Sequence, residues 1–68
     1  MKEKLKINII NYIKWLEHKT FKKKELTKKE ALIGLKGYLI ALFENRLITI
    51  SERTEIYEAF LKEVKEEE

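Results

Sequence analysis

Two tetrapeptides of one form, Thr27-Lys28-Lys29-Glu30 and Thr49-Ile50-Ser51-Glu52, constrain this chain more than any other feature. In each, the Thr hydroxyl can accept the backbone N–H three residues on, while the Glu carboxylate reaches back to the Thr N–H. Such a box starts a helix. Two of them cut the chain into three segments, each long enough for one helix, and the spacing predicts helices over about 2–19, 28–44 and 50–66.

The apolar periodicity agrees. In the first segment Leu5, Ile9, Tyr12, Ile13 and Leu16 recur at helical spacing, the expected core stripe. Ile10 and Trp15 flank it, and Ile7 falls near the opposite side among Asn11, Lys14 and His18. The alternation Leu5-Lys6-Ile7-Asn8-Ile9 also fits a strand, but a lone strand has nothing to pair with, so helix is the better reading. Residues 20–26 read as a basic connection from which Phe21 tucks back onto the core.

The second segment is apolar nearly all round: Ala31, Leu32, Ile33, Leu35, Tyr38, Leu39, Ile40, Leu42 and Phe43. That pattern predicts a buried central helix, sandwiched between the other two or between two protomers. Asn45 is the expected left-handed cap at its end. In the third segment Ile56, Tyr57, Phe60, Leu61 and Val64 lie together, opposite Glu52, Glu55, Glu58, Lys62 and Glu66. Residues 66–68 form an acidic end expected to fray. Short connections between three helices imply a single all-α domain, a small antiparallel three-helix bundle.

At 68 residues the chain has no room for a second core. A domain of this size buries only about 60% of its unfolded surface and needs extra support. With no cysteine, disulfides and thiolate metal sites are excluded, which leaves good helix packing or oligomerisation. Met1 is followed by charges with no small-residue cleavage site after the first apolar run, and residues 31–43 are too short to span a bilayer. The expectation is a soluble, cytoplasmic protein without membrane contact.

Leu42 to Glu52, with Leu47-Ile48-Thr49 between two amphipathic helices, resembles the helix-turn-helix hairpin of short C-terminal SHOCT-type domains. Arg46 stands where that family usually has Gly. The resemblance covers about a sixth of the chain and implies helix-stop and helix-start grammar, with no function attached.

Chemistry is sparse. A Ser-His-carboxylate triad would have to use Ser51 and His18, the single Ser and the single His. Ser51 falls in the first turn of the third helix, where small hydroxylated residues serve as caps. His18 near a helix C-terminus is explained by the helix dipole. One His and no Cys leave no transition-metal site within one chain, and an intersubunit site of His18 with glutamates is the remaining metal alternative. Gly34 and Gly37 lie inside a helix, so they form no phosphate loop. The expectation is no catalytic residue, no metal and no cofactor.

Three other signals point to binding. Residues 1–38 carry eleven Lys against four Glu, a formal +7, and residues 39–68 carry two Lys and two Arg against eight Glu, a formal −4. Lys19, Lys22, Lys23, Lys24, Lys28 and Lys29 concentrate the positive charge, the footprint of a phosphate-backbone binder or of a site for an acidic partner. A cluster this poor in Arg does not suit base reading. Gly34, Gly37 and Ala41 form a small-residue side of the second helix, expected at a close approach by helix one, helix three or a partner helix. Ile7, Ile10 and Trp15, with the apolar circumference of helix two, exceed what a core of this size buries and mark an interface, most simply a homodimer. The leading expectation is therefore a non-catalytic helical module that binds another protein, a regulator or inhibitor of the kind found in phages and other mobile elements. The alternative is a small nucleic-acid-binding protein using the lysine cluster.

Overall fold

The computed structural model describes residues 1–66. It is an all-α three-helix bundle measuring 32 × 19 × 16 Å. Helix α1 spans Glu3–Glu17, α2 spans Lys28–Glu44 and α3 spans Ile50–Glu66. The chain runs up, down and up, with Met1 close to the start of α3: its ammonium lies 3.6 Å from Glu52 Oε2. The acidic end expected at residues 66–68 lies, beyond the backbone of Glu66, outside the described residues.

Both boxes form. Thr27 N–H donates to Glu30 Oε1 at 2.9 Å while Glu30 N–H donates to Thr27 Oγ1 at 3.1 Å. Thr49 and Glu52 repeat the exchange at 2.8 and 3.1 Å. These bonds satisfy donors that a helix start otherwise leaves without partners. They also hold the Glu30 and Glu52 carboxyls below their ordinary pKa, chiefly through the backbone N–H of the capping Thr.

The core is one cluster: Ile9 and Leu16 from α1, Ala31, Leu35 and Leu39 from α2, Ile48 from the second connection, and Phe60 and Val64 from α3. Leu5, Tyr12, Ile13, Ile56 and Tyr57 pack against it half-buried, so the stripes read from the sequence face inward.

Three expectations need correction. The first helix does not give way to a connection at Thr20. After Glu17 it widens into a π-helical turn, His18–Lys22, in which Lys23 N–H donates to His18 C=O at 2.9 Å. Continued α geometry would carry Phe21 about 140° round the helix from Leu16. The wider turn brings it back to the core side, where Phe21 packs half-buried. Thr20 is buried there, and its hydroxyl has no hydrogen-bond partner.

The left-handed residue after α2 is Arg46 (φ 60°), not Asn45. Arg46 N–H donates to Phe43 C=O and Leu47 N–H to Leu42 C=O, the paired bonds that close a helix C-terminus around a left-handed residue. Arg46 thus adopts the conformation that Gly takes most easily. Asn45 contributes differently, donating from Nδ2 to Ala41 C=O at 2.8 Å.

Helix α2 is buried on one side only. Ala31, Leu35 and Leu39 are fully enclosed, but Ile33 is 61% exposed, and Gly37 and Ala41 face outward. Within one chain a helix of a three-helix bundle has two neighbours, and these leave part of its circumference open.

The small-residue side is split for the same reason. A Cβ on Gly34 would stand 3.3 Å from Tyr12 Oη and 3.9 Å from Leu16, so α1 makes its close approach there. A Cβ on Gly37 would meet nothing within 4 Å.

Candidate interaction surfaces

The expected site residues fall on four distinct parts of the surface. The six lysines gather at one end of the bundle, around the π-turn, the first connection and the start of α2. They are not equivalent. Lys19 is half-buried, its ammonium 2.8 Å from Glu25 Oε2 and 5.9 Å above the Trp15 ring. Lys28 is half-buried and engaged within the chain. Lys22, Lys23, Lys24 and Lys29 are exposed, and Lys24 has a positive φ of 54°.

Ile7, Ile10 and Trp15 are all exposed, at 49%, 42% and 50%, but they do not share one face. Trp15 belongs to an aromatic cluster on the α1–α2 seam. It stacks on Tyr12 at 6.0 Å, and Tyr12 leans on Tyr38 at 4.4 Å. Burial in this cluster, with Tyr38 adding to it, raises the Tyr12 pKa. Gly34 makes room for the Tyr12 hydroxyl. Tyr12 and Lys19 flank the Trp15 ring, which stays half exposed.

Ile10 lies on the other flank of α1 and lines a groove between α1 and α3. The groove measures about 260 Å³. Buried Ile9 and Phe60 form its floor, and Ile10, Ile13, Ile56 and Ala59 form its walls. Met1 and Lys6 stand toward one end and Glu63 toward the other. Parallel helices in contact with α2 but only loosely with each other leave such a slot open. The groove went unforeseen because Ile56 and Ile13 read simply as core positions.

The fourth part is the outer face of α2, described above, on the side away from this groove. A second hollow beside it, of about 250 Å³, separates α2 from α3 between Lys36, Ile40, Tyr57 and Leu61.

Ser51 and His18 are not brought together. Ser51 begins α3 and His18 ends α1, and since these helices run parallel from a common end, roughly 20 Å of helix separates them. No group of three or more His and Glu side chains that could hold a metal ion occurs among the described residues. No helix among them is long and apolar enough to cross a membrane. No protein-family model matches the chain, and neither the curated proteins nor the solved structures contain a match to it.

Proposed function

We propose that this chain is a non-catalytic helical interaction module, a cytoplasmic regulator or inhibitor that binds another protein by taking one of its amphipathic helices into the α1–α3 groove. The supporting observation is the groove itself: an apolar slot with one base and one acid near its two ends, Lys6 and Glu63. Helix-in-groove recognition uses apolar residues at i, i+3 or i+4, and i+7 as anchors. A fourth helix laid there would turn three helices into a four-helix arrangement and cover Ile10 and Ala59, both now exposed. The end charges set its direction. An acidic first turn belongs beside Lys6 and a basic last turn beside Glu63, the order that a helix's own dipole favours. Such a partner helix runs parallel to α1 and α3.

The test compares tagged wild type with Ala59→Arg, a change on the exposed wall of the groove, with and without nuclease and at low and raised salt. The expected result is a protein that wild type retains through nuclease and salt and that Ala59→Arg loses while its thermal melt is unchanged. Equal capture by both chains rejects the groove.

A second reading rests on the exposed quartet Lys22, Lys23, Lys24 and Lys29, which together suit a phosphate backbone. Capture that disappears with nuclease, and with substitution of those four lysines by Ala, moves the assignment to nucleic acid.

A further inference from the structure

We infer that the outer face of α2 docks a second copy of this chain, the two α2 helices lying antiparallel. This surface is separate from the groove, and the inference stands whether or not the groove binds a helix.

Lys29, Ile33, Ile40 and Glu44 follow one another at i, i+4, i+11 and i+15, a single stripe along the helix. Ile33 is the most exposed large hydrophobic residue of the described chain, at 61%. Gly37 lies beside the two isoleucines with open space where its side chain would be. In a helix interior Gly is disfavoured against Ala. Gly34 has an explanation inside the chain in the Tyr12 hydroxyl. Gly37 has none, and a helix crossing over it supplies one.

The charges identify what crosses. Lys29 stands in the first turn of α2, near the positive end of the helix dipole, and Glu44 is the last residue, at the negative end. Each is on the wrong end of its own helix. An antiparallel second copy corrects both at once. With the two-fold axis between Lys36 and Gly37, Lys29 of one copy lies opposite Glu44 of the other, beside that helix's negative end, and the pair recurs at the far end by symmetry. The same register sets Ile33 of one copy against Ile40 of the other, twice, and Gly37 of each against Lys36 of the other, where the absent side chain leaves room for the lysine stem to pass out to solvent. The Lys36 side chains fall on the rim, where solvent screens them. A parallel pair would instead put Lys29 on Lys29 and Glu44 on Glu44.

One helix face is smaller than the roughly 800 Å² per partner of a standard interface, so the dimer is weak, with a dissociation constant on the order of 10⁻⁴ M.

Sedimentation equilibrium from about 10 μM to about 1 mM tests this over the range that such a constant spans. Wild type passes from monomer to dimer. Ile33→Glu remains a monomer with its helical signal intact. Glu44→Lys, which makes both end pairs repulsive, weakens association by about tenfold, and adding Lys29→Glu to it restores association to within about threefold of wild type. Ala59→Arg leaves the dimer unchanged, which separates this face from the groove. Strict monomer across the range overturns the inference, as does a dimer indifferent to Ile33→Glu. Failure of the charge exchange to rescue overturns the antiparallel arrangement and with it the inference.

Discussion

The two connections are built alike where they start a helix and differently where they stop one. Each ends in a Thr-x-x-Glu box with nearly the same distances, and each carries one basic residue in the left-handed region, Lys24 or Arg46. But α2 keeps α geometry to its last residue, and Ile48 then drops into the core at 5% exposure. Helix α1 loosens first into a π-turn, encloses a Thr20 hydroxyl without a partner, and sends only the half-buried apolar side chains of Phe21 and Leu26 against the core. Starting a helix is thus a local matter solved by four residues. Stopping one depends on what the core will accept from the residues that follow.

The contrast in anchorage carries the largest expected effect. Ile48→Ala should cost about 2–4 kcal/mol in chemical denaturation, as a buried aliphatic truncation does. Its exposed neighbour gives the control: Leu47→Ala should stay within about 0.5 kcal/mol. A loss at Leu26→Ala as large as that at Ile48→Ala would erase the difference between the connections.

The boxes should prove equal. Thr27→Ala and Thr49→Ala are each expected to cost about 1 kcal/mol. Their pH dependence has a definite sign. Glu30 and Glu52 have lower pKa values folded than unfolded, so their contribution is present above the ordinary value of 4.5 and is lost as pH falls through the lowered folded value. Acid melts should show wild type losing stability below about pH 4.5, and a Glu30→Gln/Glu52→Gln double variant, which keeps an acceptor for each Thr N–H but has no carboxyl to protonate, losing less over that window.

The smallest effect is a gain. Lys24→Gly and Arg46→Gly each relieve a left-handed non-Gly residue, and each should stabilise by about 0.5–1 kcal/mol, net of the added freedom of the unfolded chain. A gain at one site alone would show that the two turns are strained unequally, despite their similar φ.

Much of this architecture is legible in the residues. The boxes place the starts of α2 and α3, and the apolar stripes name the core of each helix. Two features are not legible, for physical reasons. Over His18–Lys22 the α and π periodicities are too close to separate in five residues, and only the packing of Phe21 decides between them. The identity of the left-handed residue after α2 is set by which carbonyls remain to be closed, so Arg46 takes the position although Asn45 has the better intrinsic preference. The outer face of α2 illustrates a different limit. Ile33 and Ile40 have the chemistry of buried residues, but hydrophobicity does not say whether the covering helix comes from the same chain. The groove is hidden in the same way, since Ile13 and Ile56 lie partly in the core and partly in its wall.

The short, self-capped connections also set the speed of folding. Each box closes within four residues and each turn joins helices adjacent in sequence, so little loop-closure entropy stands before the first tertiary contacts. Helical chains built on such local contacts fold in microseconds to milliseconds. The chain has no proline, so no slow isomerisation phase is superimposed. Temperature-jump relaxation should therefore be fast and single-exponential, and a nascent chain should spend little time with the α1–α3 groove half-assembled and its isoleucines exposed to the wrong neighbour.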